Sequence, residues 1–123
     1  LVKLLVRTGA DVSLATETGQ TALHYAASKN HVEIAHTLVE HGAPIDAVDR
    51  NRHSPLHRAV LKGHGTMVQF LLEHKARVSL ADHEKNTALH IVCEEGYTEL
   101  AEMLIAHGAN ADALNADDKT PLD

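Results

Sequence analysis

The chain has 123 residues, a formal net charge of −6 and 44% hydrophobic residues. This length is typical of a single domain, and no apolar run approaches the roughly 20 residues that a membrane-spanning helix needs. No signal peptide is visible, and the single cysteine, Cys93, excludes an internal disulfide and fits a reducing compartment.

A short motif recurs along the chain at a fixed interval of 33 residues. It begins at Thr21, Ser54, Thr87 and Thr120, and its first three copies read TALH, SPLH and TALH. This period and motif are typical of repeats built from a turn and two helices. Each repeat can bury its apolar face only against its neighbours. The sequence therefore predicts one all-α solenoid of stacked helix-turn-helix units over residues 1–123.

The repeat phase divides the chain into five parts. Three complete repeats occupy 16–48, 49–81 and 82–114, while 1–15 form the end of a truncated repeat and 115–123 form the start of another. In the complete repeats the helix pairs are expected at about 21–40, 54–73 and 87–106. The loops between pairs should project as β-hairpins or turns, with tips near 17–20, 50–53 and 83–86.

The first helix of each pair has recognisable signals at both ends. A threonine or serine begins it and can accept hydrogen bonds from the free N–H groups of the first turn. Pro55 follows one of these caps, at a position where a missing N–H costs nothing. The residues expected to end the three first helices are Asn30, Gly63 and Gly96.

The second helix has apolar residues spaced by three and four positions. A glycine follows the helix end at Gly9, Gly42 and Gly108, where a left-handed residue can close the last turn. The middle repeat has Lys75 at this place. We therefore expect a strained helix end there.

The net charge alternates from one repeat to the next. It is −3 over 16–48, +4 over 49–81 and −6 over 82–114. A nucleic-acid-binding surface normally needs a continuous basic stripe. The alternation argues against a nucleic-acid partner.

The motif, its period and the glycine positions together resemble the ankyrin repeat along the whole chain. This resemblance implies a monomeric protein-binding module without a cofactor, in which His24, His57 and His90 bridge backbone groups at the loops. The partner is expected on the concave face, formed by the loop tips and the exposed ends of the first helices. The residues assigned to partner binding are Glu17, Thr18, Gln20, Lys29, Arg50, His53, Arg58, Lys62, His83, Glu84, Glu94 and Glu95.

Some stretches are also similar to the gankyrin family of ankyrin-repeat chaperones, which assist assembly of the proteasome regulatory particle. They include 23–30, 57–59, 86–90 and the lysine at position 75. The resemblance implies a cytoplasmic and nuclear protein whose concave face, with Lys29 and Lys62, binds the C-terminal domain of a proteasomal ATPase subunit. The alternative is a scaffold segment of a larger signalling or regulatory protein with another partner.

Eleven histidines raise the alternative of a metal site. Two sets of them repeat at intervals of 33, so the members of each set lie in different layers of the stack. Packed helices lie about 8–10 Å apart, whereas zinc binds its nitrogen ligands at about 2.0–2.1 Å. We therefore expect no metal. No nucleophile elbow, phosphate-binding loop or zinc-protease motif occurs, and we expect no enzymatic activity.

The stretch from Ile91 to Glu95 nearly matches the Leu-x-Cys-x-Glu motif that binds the retinoblastoma pocket, through Ile91, Cys93 and Glu95. That motif is usually bound as an extended peptide. Alternatively, Cys93 fills a small-residue position on the first helix and is buried and helical.

Overall fold

The computed structural model describes residues 14–123. The predicted repeat end within 1–13, with its glycine at position 9, lies outside the described residues. Six helices occur in the described part: α1 (Ala22–Lys29), α2 (Val32–Glu40), α3 (Pro55–Leu61), α4 (Gly65–Glu73), α5 (Ala88–Glu95) and α6 (Thr98–Ala106). The predicted all-α helix pairs are confirmed. None of these helices is long and apolar enough to cross a membrane.

The loops between helix pairs project as turns, which we call finger 1 (16–20), finger 2 (49–53), finger 3 (82–86) and finger 4 (115–119). From residue 14 onward they form no extended strands. Single antiparallel bridges join Ala15 to Thr21 and Ala81 to Thr87. The fingers are therefore tight turns rather than β-hairpins.

Each first helix begins with the predicted hydroxyl cap. Thr21 Oγ1 accepts a hydrogen bond from the His24 N–H at 3.3 Å, and the Thr21 N–H donates to His24 Nδ1 at 3.1 Å. Ser54 and Thr87 make the same reciprocal pair of bonds with the histidine three residues later. This arrangement is a capping box in which histidine takes the place of the usual Glu or Gln.

The first helices α1, α3 and α5 stack in one layer, and the second helices α2, α4 and α6 stack in another. Neighbouring first helices contact each other more closely than neighbouring second helices do. Small side chains permit this approach, because Ala26, Ala27 and Ala59 are fully buried in the first layer. The stack therefore curves, with the first helices on its concave side.

The core runs continuously between the two layers. Long aliphatic side chains from both layers fill it, including Leu23, Leu38, Leu71, Leu89 and Leu104, each of which is at most 1% exposed. These side chains belong to one cluster that extends over all three complete repeats. Burial is therefore shared across repeats, as expected for a solenoid.

Lys75 has the left-handed backbone predicted for the helix end, with φ of 71°. Its N–H donates to the Leu72 carbonyl at 3.1 Å, which closes the last turn of α4. The expected strain at this position is confirmed, because a side chain in this region clashes with its own backbone.

Candidate functional site

Each finger begins with a polar side chain that stabilises its own turn. Asp49 Oδ1 accepts hydrogen bonds from the N–H groups of Asn51 and His53, both at 2.9 Å. Asp82 makes the equivalent bonds in finger 3, and Asn115 makes them in finger 4. Because the finger turns are held from within, their shape does not depend on a ligand.

The second oxygens of the two aspartates bind neighbouring side chains. Asp49 Oδ2 pairs with the Arg58 guanidinium, and Asp82 Oδ2 lies 3.2 Å from His53 Nε2. Both carboxylates are nearly inaccessible to solvent, with side-chain exposures of 2% and 5%. Burial alone would raise the pKa of Asp49. Hydrogen bonds from the His53 N–H and the Arg58 guanidinium outweigh burial and hold this pKa below its usual value.

These pairs change the interpretation of two residues that the sequence assigned to partner binding. The Arg58 side chain is 26% exposed and that of His53 is 16% exposed, and each is engaged with an aspartate of the fingers. Arg58 joins α3 to finger 2, and His53 joins finger 2 to finger 3. These contacts hold the fingers in place, and the assignment of Arg58 and His53 to a partner stays a prediction.

The three motif histidines join each first helix to the following finger. His24 Nε2 donates to the His53 carbonyl at 2.8 Å, and His57 and His90 make the same bond to the carbonyls of Asn86 and Lys119. Burial lowers the pKa of His24 and of His57. The predicted bridging role is confirmed, and it requires the neutral ring, since Nδ1 accepts while Nε2 donates.

Direct backbone hydrogen bonds connect successive fingers. The N–H of Arg50 donates to the Thr18 carbonyl at 2.8 Å, that of His83 to Asn51 at 3.1 Å, and that of Ala116 to Glu84 at 2.9 Å. The four fingers therefore form one continuous row along the edge of the stack.

Most of the predicted partner-binding residues remain available to solvent. On the first helices the exposed ones are Lys29, Lys62, Glu94 and Glu95. On the fingers they are Glu17, Thr18, Arg50, His83 and Glu84, while Gln20 is partly buried. One open pocket is lined by a residue of each set, Glu84 of finger 3 and Glu94 of α5.

Sequence reasoning missed the buried aspartates of the fingers and two exposed cations, Arg52 and Lys85. The cations occupy equivalent finger positions and have positive φ angles of 62° and 63°. Alignment of the repeats would have indicated a left-handed backbone at this position, because finger 1 has a glycine there, Gly19. An aspartate at the start of a finger looks like an ordinary turn residue, and its burial becomes evident only in the stack.

The near-match to the retinoblastoma-binding motif lies entirely within α5. Ile91 is 6% exposed, Cys93 is partly buried and Glu95 is exposed. Burial raises the pKa of the Cys93 thiol. An extended peptide conformation would require α5 to unwind. Cys93 is helical, as the alternative interpretation states, although it is less buried than that interpretation expects.

Histidines on the second helices serve the helix ends. His41 Nδ1 lies 2.8 Å from the Thr37 carbonyl, and His74 and His107 make equivalent contacts to the carbonyls four residues before them. These rings occupy the last turn, where free carbonyls need partners. Over residues 14–123, no three metal-ligating side chains converge on one point.

Two family models match the chain, and together they span it. The model described as ankyrin repeats (3 copies) matches residues 1–82, and the model described as ankyrin repeats (many copies) matches residues 71–123. A search among curated proteins finds no match.

Proposed function

Since this chain belongs to the ankyrin-repeat family and is a protein–protein interaction module, we propose that its partner binds the concave face. The face comprises the fingers and the exposed ends of α1, α3 and α5. The fingers are fixed by their own hydrogen bonds and by the bonds between them, so the partner meets a preformed surface. A preformed surface binds with less loss of conformational entropy than a flexible one.

The observation that carries this proposal is the unpaired charge at the ends of the first helices. Lys29, Lys62, Glu94 and Glu95 are exposed, and none forms an ion pair with another residue of 14–123. Exposed charges of this kind steer association and fix the register of a partner more than they add affinity.

For the partner itself we favour the C-terminal domain of a proteasomal ATPase subunit, bound during assembly of the 19S base by a monomeric, cytoplasmic and nuclear chaperone. The support is the similarity of 23–30, 57–59 and 86–90 to the gankyrin family and the shared lysine at position 75. Lys29 and Lys62, which that similarity assigns to the contact, are both exposed. The ankyrin match is equally compatible with a scaffold segment that binds another partner.

Titration calorimetry against that ATPase domain tests the proposal. The variant Lys29→Glu/Lys62→Glu should raise the dissociation constant about tenfold at low salt and less at moderate salt, because salt screens exposed charges. The matched control is Glu33→Lys/Glu40→Lys on α2, whose side chains are also exposed. Equal affinity of all three proteins would reject the concave face. Absence of binding by the unmutated protein would reject the ATPase partner and leave the scaffold function.

A further inference from the structure

The fingers share a left-handed residue at one equivalent position. It is Gly19 in finger 1, Arg52 in finger 2, Lys85 in finger 3 and Asp118 in finger 4, with φ of 84°, 62°, 63° and 56°. The turn itself requires this conformation, because the N–H of this residue donates to the carbonyl three residues earlier, as from Arg52 to Asp49 at 2.9 Å. Glycine adopts it freely, whereas any other residue brings its Cβ against the backbone.

The side chains of Arg52 and Lys85 make no polar contact within the described part of the fold. Both are exposed, and neither side chain makes a hydrogen bond or an ion pair with the residues of 14–123. The strain at Arg52 and Lys85 is therefore not offset by a hydrogen bond or ion pair of their side chains within the fold.

The two strained cations lie on adjoining fingers. The His83 N–H of finger 3 donates to the Asn51 carbonyl of finger 2, which places the two tips side by side. Arg50, also exposed, adds a third cation at the tip of finger 2. The exposed acid Glu84 follows His83 in finger 3, and its Oε1 lies 3.6 Å from His83 Nε2.

Acidic residues bound this patch on both sides. Glu17 lies in finger 1, and Asp117 and Asp118 lie in finger 4, all exposed. A nucleic acid would bring its phosphates onto these acids, and the fingers have no Phe, Tyr or Trp on which bases could stack. The patch is therefore better matched to a short anionic ligand than to a long polyanion.

We propose that Arg50, Arg52 and Lys85 form a subsite for the carboxylates of a short acidic segment of the protein partner. This inference rests on the proposed concave binding face and adds a charge preference at its finger edge. Fingers 2 and 3 are joined by a direct backbone hydrogen bond from the His83 N–H to the Asn51 carbonyl. Side chains two residues apart lie on the same face of an extended segment, so alternate carboxylates of an acidic segment could meet the cations of both fingers.

An NMR titration of the isotope-labelled protein with hexaglutamate tests the subsite. The amide signals of fingers 2 and 3 should shift, and the variant Arg52→Gly/Lys85→Gly should bind at least about fivefold more weakly. Both replacements put glycine where the backbone favours it, so the variant should fold. The matched control is Asp118→Gly, which relieves the same backbone strain in finger 4 and should bind hexaglutamate as well as the unmutated protein or better.

Unchanged affinity of Arg52→Gly/Lys85→Gly, or no shift in fingers 2 and 3, would overturn the subsite. Tighter binding of a ten-residue oligothymidine than of hexaglutamate would overturn the assignment to a protein segment. Binding of the ATPase domain distinguishes failure of the subsite from failure of the proposed function. If only Lys29→Glu/Lys62→Glu weakens binding of that domain, the function stands and the subsite fails. If hexaglutamate binds the fingers while the domain does not bind at all, the subsite stands and that partner is rejected.

Discussion

His24 and His57 are buried side chains whose two ring nitrogens both have hydrogen-bond partners. Nδ1 accepts from a backbone N–H of the helix cap, and Nε2 donates to a carbonyl of the next finger. A protonated ring would lose the first of these bonds and would carry a charge into the core. The bridging histidines therefore make the stack sensitive to acid.

We predict that the protein loses stability as the pH falls from about 7.5 to about 5.5. The folded-state pKa values of His24 and His57 are lowered by burial, so in this range the unfolded chain binds more protons than the folded one. The stability is complete above the unfolded pKa of about 6.5 and declines below it. Asp49 stays ionised throughout, since its pKa lies below the usual value. Urea denaturation at the two pH values measures the effect.

His57→Gln and His31→Gln provide the comparison. Glutamine at the third helical position can still complete a capping box but cannot take up a proton. His57→Gln should therefore show a smaller loss between the two pH values than the unmutated protein. His31 is exposed, and His31→Gln should show the full loss. An identical pH response of all three proteins would refute the role of the bridging histidine.

At the scale of elements, the helices could be predicted from the sequence and the finger contacts could not. Hydroxyl caps mark the starts of α1, α3 and α5, and apolar spacings of three and four indicate α2, α4 and α6. The aspartate contacts of Arg58 and His53 could not be predicted, because they depend on how helices and fingers pack, and the His53 pair joins successive repeats. The concave-face site stays a prediction, while the contacts of its individual charges needed the structure.

The finger turns should depend on the aspartates that begin them. Asp82→Ala leaves the N–H groups of Glu84 and Asn86 without their acceptor, and we expect a loss of about 1–3 kcal/mol in the free energy of unfolding. Asp82→Asn should cost less, because Asn115 holds finger 4 with the same two bonds. Urea denaturation of both variants measures the difference. Equal losses would show that Asp82 stabilises the fold through its contact with His53 and not through the turn.

At the scale of the whole molecule, the residues that stabilise the curved stack are separate from the surface residues that a partner would meet. The long aliphatic side chains are shared between repeats in the interior, so neighbouring repeats support one another. The net charge varies from −3 to +4 to −6 along the complete repeats, and it does so on a scaffold that changes little from layer to layer. A partner that spans several repeats would therefore meet a surface whose charge changes sign along its length.

Hydrogen exchange measured by mass spectrometry, with and without the proteasomal ATPase C-terminal domain, tests the central claim most directly. The claim is that a protein partner covers the fingers and the first helices. Binding should slow exchange in peptides that contain α1, α3, α5 and fingers 1 to 3, and should leave α2, α4 and α6 nearly unchanged. Slowed exchange confined to α2, α4 and α6 would contradict the account. No change in any peptide would reject the ATPase domain as the partner.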